Sequence, residues 1–191
     1  MRINNWKKEI LTIPNLLTIF RIALIPVYLY IYLNADSSDD YTAAAVILAV
    51  SCLTDLIDGK IARKFNMISH FGKLLDPVAD KLTQLALMIC LSAQHRSLRI
   101  LLTVFLIKEF FQFCAMIASL RQGMALDGAL MSGKISTTVL FGSLTLMVLC
   151  PNLEKWTVNL LAGICLVFLM LAFGDYVRAY FGKNKKIYDL E

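Results

Sequence analysis

Six apolar runs, each close to the length of a helix that crosses hydrocarbon, constrain this chain more than any other feature. They fall at residues 15–34, 41–59, 74–94, 100–120, 135–151 and 157–177. A helix needs about 20 apolar residues to span the bilayer core. The whole chain is 58% hydrophobic and 17% charged, with a mean hydropathy of +0.66, which lies well outside soluble globular usage. The reading is an all-α integral membrane protein: one domain over residues 1–191, with six transmembrane helices. Residues 1–13 mix Trp6, Ile10 and Leu11 with Lys7, Lys8 and Glu9, as an N-terminal amphipathic helix lying in the headgroup layer does. Pro14 then marks the break before the first span.

The positive charges orient the spans. Arg2, Lys7 and Lys8 precede the first; Lys60, Arg63, Lys64 and Lys73 lie between the second and third; Arg121 and Lys134 flank the loop between the fourth and fifth; Lys183, Lys185 and Lys186 follow the sixth. With six spans all four places fall on one side, which the positive-inside rule makes cytoplasmic, and residues 183–191 become a cytoplasmic tail. The acidic loop ADSSDDY falls outside; Arg96 and Arg99 depart from the pattern. The expectation is a multi-pass protein of the cell (inner) membrane. Topology also accounts for the net charge of +5. The basic residues are spread over several loops without interleaved aromatics, so no nucleic acid partner is expected. Arg21 inside the first run, with no small-residue cleavage site after it, indicates a retained helix rather than a signal peptide. Five cysteines, at 52, 90, 114, 150 and 165, stand singly in apolar segments and suggest neither disulfides nor zinc.

Ionisable residues in such spans are costly and point to function. In TDLIDGKIARKFNMISHFGKLLDPVADK, Asp55 and Asp58 are three apart and Asp76 and Asp80 four apart. Each interval places its pair on one helical face, so two facing helices can bring four carboxylates together. Like charges in a poorly solvated site repel and take up protons unless cations neutralise them. Oxygen ligands without His or Cys select Mg²⁺, Mn²⁺ or Ca²⁺ over zinc, and Mg²⁺ commonly works on phosphates. Pro77, directly after Asp76, either distorts a helical turn and re-aims that carboxylate or simply starts a helix. His70 reads as a solvated interfacial side chain.

Asp55, Asp58, Gly59, Ala62, Arg63, Gly72, Asp76 and Asp80 match D-x-x-D-G-x-x-A-R-x8-G-x-x-x-D-x-x-x-D at every fixed position. The chain thereby resembles the CDP-alcohol phosphatidyltransferase family. That resemblance implies that Asp55, Asp58, Asp76 and Asp80 hold two divalent ions, Mg²⁺ or Mn²⁺, at the cytoplasmic face. It implies that Asp80 is also the base that activates the acceptor hydroxyl, and that CMP leaves. It assigns Gly59, Ala62, Arg63 and Ser69 to the CDP group of the lipid donor, CDP-diacylglycerol. The residues themselves suit this: Gly59 and Ala62 allow close approach, or else serve helix packing, and Arg63 offers a fork suited to phosphate, or else anchors the helix at the interface.

PNLLTIFRIALIP, residues 14–26, resembles the first span of the bacterial members that make phosphatidylglycerol phosphate, with Asn15, Thr18 and Arg21 matching PN-x-LT-x-x-R-x-x-x-x-P; Asn15 and Thr18 join the donor-binding set on that basis. The acceptor implied is glycerol 3-phosphate. A phosphorylated acceptor needs cations, and Lys108, Lys134 (in GKIST, matching G-K-x-x-T) and Arg121 are the candidates. Met116 stands where that subfamily has an arginine, which leaves another alcohol open, such as phosphatidylglycerol in a cardiolipin synthase. A cation transporter is disfavoured, because the acids gather at one membrane face and no inverted repeat appears. Family resemblance alone implies a homodimer.

Overall fold

The computed structural model describes residues 12–64, 70–121, 124–126, 131–181 and 187–189. Six helices occupy most of them: α1 (Ile13–Leu33), α2 (Ser38–Lys64), α3 (His70–Gln94), α4 (Arg96–Arg121), α5 (Met131–Leu149) and α6 (Lys155–Phe181). Every apolar run of the sequence lies almost wholly within one of them. The chain is a helical membrane protein. Three helices are long and apolar enough to cross a bilayer, namely Ile13–Leu33, Met131–Leu149 and the stretch Lys155–Tyr180 of α6. The other three carry the ionisable residues noted above. The interfacial segment 1–13 lies outside the described residues up to position 11, as does most of the tail 183–191.

One element is absent from the sequence reading. Strands β1 (Met124–Leu126) and β2 (Ile187–Asp189) pair antiparallel, with Ala125 opposite Tyr188. Three residues are too few for a recognisable alternation, and their partner lies some sixty positions away.

Two compact units divide the chain, residues 1–90 and 91–191. In the first, α1 opens with Thr12 extended at its N-cap and a proline within the first turn, where a missing backbone N–H costs nothing. A short connection over residues 34–37 leads into α2. There Ser37 and Asp40 form a reciprocal cap: the Asp40 carboxylate accepts from the Ser37 backbone N–H at 3.0 Å, and the Asp40 N–H donates to the Ser37 hydroxyl at 3.3 Å. Part of the acidic loop is therefore the first turn of a helix, with Asp39 and Asp40 at its positive end. Tyr32 packs edge-on against Tyr41, with 5.3 Å between ring centroids, at the connection. Arg21 meets Asp58 further along, so α1 and α2 run antiparallel.

Among the described residues of the first unit, Tyr28, Leu48, Ala86 and Leu87 help line a cavity of only about 10 Å³. Pro77 lies inside α3, more than a turn beyond its start at His70, so it does not start the helix, and it supplies no backbone N–H to the turn that precedes it.

In the second unit α5 and α6 run antiparallel. A Cβ on Gly133 would stand 2.8 Å from the Tyr176 hydroxyl oxygen, so glycine is what permits their close approach there. Phe111 of α4 meets Phe173 of α6 edge-on at 5.3 Å between centroids.

Candidate active site

The four motif aspartates are organised by the first helix. On α1, Pro14, Thr18 and Arg21 follow at i, i+4 and i+7 and share one buried face with Asn15. Arg21 is the centre of the cluster. Its Nη1 pairs with Asp55 Oδ1 at 2.6 Å and with Asp80 Oδ1 at 2.9 Å, and its Nη2 pairs with Asp58 Oδ2 at 2.9 Å. One guanidinium fork thus spans carboxylates from both motif helices, Asp55 and Asp58 on α2 and Asp80 on α3.

Asp76 is tied in through Thr18. The Thr18 hydroxyl lies 2.9 Å from Asp76 Oδ1, 3.4 Å from Asp58 Oδ2 and 3.1 Å from the Pro14 carbonyl. A hydroxyl has one proton to give, and the shortest of these contacts directs it to Asp76. The pairs spaced three and four apart in sequence therefore come together, but through an arginine and a threonine of a third helix.

Burial divides the carboxylates. The Arg21 side chain is 3% exposed and Asp58 6%, whereas Asp55 is 47% and Asp80 55% exposed. Asp58 and Arg21 form a buried ion pair, a geometry that is costly to break from one side. Asp55 and Asp80 present open oxygen toward the surroundings. Asp80 is the most exposed of the three carboxylates paired with Arg21.

Three carboxylates contact one guanidinium and the fourth, Asp76, joins them through Thr18, which leaves these side chains with a formal negative excess. Among the described residues no group of three His, Cys, Asp or Glu side chains stands close enough to hold a metal ion. The donor chemistry nonetheless fits a hard divalent cation: every donor is a carboxylate oxygen, three of the four aspartates, Asp55, Asp76 and Asp80, are exposed, and the negative charge exceeds what Arg21 neutralises.

The other expected site residues divide as follows. Asn15 and Thr18 are buried beside the cluster. Gly59, Ala62 and Arg63 lie in the last turns of α2, but their side chains fall outside the described residues, as does Ser69 altogether. Lys108, Lys134 and Arg121 belong to the second unit. Lys108 is buried, and its ammonium pairs with Glu109 at 2.7 Å and sits 5.7 Å from the centre of the Tyr176 ring. Its charge is thus already engaged. Lys134 is exposed in the first turn of α5. The side chains of Arg121 and Met116 lie outside the described residues.

Sequence reasoning gave Arg21 no role beyond its match to the first-span pattern. The signal was available: a lone arginine within an apolar span is expensive enough to demand partners, and it stands three residues after a threonine on the same face.

Comparison with known proteins identifies the family. The profile of the CDP-alcohol phosphatidyltransferase family matches residues 11–174, a stretch that contains all four aspartates, Thr18 and Arg21. The chain is 33% identical over 165 residues to the CDP-diacylglycerol–glycerol-3-phosphate 3-phosphatidyltransferase of Escherichia coli K12, covering 82% of this chain and 85% of that protein. It is 36% identical over 118 residues to a CMP-forming cardiolipin synthase of Streptomyces coelicolor, covering 60% of this chain and about half, 54%, of that protein. A cardiolipin synthase and mitochondrial hydrolase fusion protein of Schizosaccharomyces pombe is 44% identical over 90 residues, 47% of this chain and 14% of the fusion. The chain therefore belongs to the CDP-alcohol phosphatidyltransferase family and is a membrane-bound transferase of that class.

Proposed function

We propose that the protein transfers the phosphatidyl group of CDP-diacylglycerol to glycerol 3-phosphate, giving phosphatidylglycerol phosphate and CMP. The observation that carries this reading is the junction of Asp55, Asp58, Asp76 and Asp80 through Arg21 and Thr18, supported by the similarity to the Escherichia coli enzyme over most of both chains. The acceptor hydroxyl attacks the phosphorus that bears the diacylglycerol. Its proton passes to Asp80, the bond to the bridging anhydride oxygen breaks, and CMP departs with that oxygen. Asp55, Asp58, Asp76 and Asp80 are the residues that would hold two divalent ions, Mg²⁺ or Mn²⁺, whose chemistry is to neutralise the donor phosphates.

Asn15, Thr18, Gly59, Ala62, Arg63 and Ser69 form the donor-binding set in this reading, and Lys134, Lys108 and Arg121 the acceptor-binding set. The buried positions of Asn15 and Thr18 beside the cluster support their part. Because Lys108 is paired with Glu109, Lys134 is the stronger candidate for the acceptor phosphate. Six spanning helices, an interfacial N-terminal helix, a cytoplasmic active site at the inner membrane and a homodimer complete the proposal.

A second reading keeps the chemistry and changes the acceptor to phosphatidylglycerol, forming cardiolipin. Two of the relatives above bear that name, and Met116 departs from the glycerol 3-phosphate pattern. Purified protein supplied with labelled CDP-diacylglycerol and a panel of alcohols, with Mg²⁺ or Mn²⁺ and with chelator, separates the readings. Phosphatidylglycerol phosphate as the sole labelled product supports the first, and cardiolipin supports the second. Transfer that persists undiminished in chelator refutes the metal assignment.

A further inference from the structure

Arg21 and Asp58 are the charged side chains buried in the first unit among the described residues. Arg21 sits among acids that the proposed function reserves for divalent ions. Resting on that reading, we infer that Arg21 is the protein's own counter-cation for the quartet, competing with divalent ions for the carboxylates of Asp55, Asp58 and Asp80 and so setting how tightly the site holds metal.

The guanidinium lies 2.6 to 2.9 Å from Asp55 Oδ1, Asp80 Oδ1 and Asp58 Oδ2. A carboxylate oxygen has two lone-pair directions, and the hydrogen bonds to Asp58 Oδ2 and Asp80 Oδ1 each commit one of them to Arg21, while Asp55 Oδ1 is held as an ion pair. A divalent ion bound by the same carboxylates would stand within a few ångströms of that fixed positive charge. Burial keeps the repulsion between them poorly screened.

The inner nitrogen of Arg21 shows what aims the side chain. Its Nε is buried without a hydrogen-bond partner among the described residues. A structural arginine at this depth is normally satisfied all round, because an unmet buried donor is costly. Here the side chain is aimed through its terminal nitrogens alone, so the carboxylates set its position. It acts as a positioning residue through the acids it gathers.

Competition and plain structural support make opposite predictions. If Arg21 only props the fold, its loss weakens the site and metal binding falls with it. If it competes, its loss leaves the acids mutually repelled without metal and unopposed with it. Metal then binds more tightly while the metal-free protein becomes less stable.

The test uses full-length protein in detergent as wild type, Arg21→Gln and Arg21→Lys. Free Mn²⁺ is followed during titration by electron paramagnetic resonance, and thermal unfolding is measured in chelator and in saturating Mn²⁺. Arg21→Gln is expected to bind Mn²⁺ on the order of tenfold more tightly than wild type, as removal of a nearby like charge requires. Its Tm deficit in chelator is expected to shrink in saturating Mn²⁺. Arg21→Lys keeps the charge but not the fork and is expected to fall between the two. Unchanged or weaker Mn²⁺ binding by Arg21→Gln overturns the inference. If Arg21→Gln does not fold, Arg21→Lys decides alone: tighter binding than wild type supports competition, and equal or weaker binding overturns it. Wild type that binds no Mn²⁺ sinks the metal reading and this inference with it, whereas binding indifferent to Arg21 sinks this inference only.

Discussion

Asp55→Asn and Asp58→Asn remove carboxylates of the same motif, three residues apart on one helix, yet they are expected to differ in what they cost the fold. Asp58 is 6% exposed and pairs with an arginine that is 3% exposed, at 2.9 Å. Removing one partner of a buried pair costs about 3–5 kcal/mol. Arg21 keeps Asp55 and Asp80 through Nη1, and asparagine retains an acceptor oxygen in the same shape, which reduces the loss to about 2–3 kcal/mol. Asp55 is 47% exposed, so water takes over much of its role, and the expected loss is within about 1 kcal/mol. The difference of ~2 kcal/mol corresponds to roughly 4–8 °C in Tm for a chain of this size. A thiol-reactive dye added during heating reads unfolding through the buried Cys90 and Cys165, above a constant background from the exposed Cys114 and Cys150. Both variants should lose transfer activity, because both remove a motif carboxylate. Equal shifts in Tm, or a larger one for Asp55→Asn, would refute the assignment of Asp58 as the buried anchor of Arg21.

Three further outcomes follow from named contacts. Asp80→Asn should abolish transfer while retaining part of the binding of CDP-diacylglycerol, measured on the same preparation; normal turnover would remove Asp80 as the base. Lys134→Ala should raise the KM for a phosphorylated acceptor much more than that for the donor, and an unchanged acceptor KM would remove Lys134 from that pocket. Gly133→Ala should destabilise the second unit by about 1–2 kcal/mol, because its new Cβ meets the Tyr176 hydroxyl, and Tyr176→Phe should relieve much of that cost. Additive losses in the double variant would show that the contact is not the cause.

The helices were legible because the apolar runs are long and because charge interrupts them only near their ends, at the site, and at the Lys108–Glu109 pair within α4. Their boundaries moved by a few residues where local chemistry intervened. The Ser37–Asp40 cap draws α2 back into what reads as an acidic loop, and α3 begins well before Pro77 because the proline sits inside it. The β1–β2 pair left no trace, since its partners are distant and short. In the site, the intervals 55–58 and 76–80 announce two acidic faces and the motif announces their chemistry. Lys108 shows the limit of such reading: a lone cation in a span invites assignment to a ligand, and its nearest anion proves to be the adjacent residue, Glu109.

The amino-acid order by itself determined a helical membrane protein, the location of its acidic chemistry and its family, because these depend on local periodicity and fixed spacing along one chain. Tertiary packing alone decided that Arg21 and Thr18 of the first helix join the two acidic pairs, and that Asp58 is buried while Asp55 and Asp80 are open. The physical reason is that helical spacing defines which side chains share a face, whereas the partner of a buried charge is chosen by which other face packs against it. Three helices must meet before one guanidinium can reach acids that lie 34 to 59 positions away in sequence.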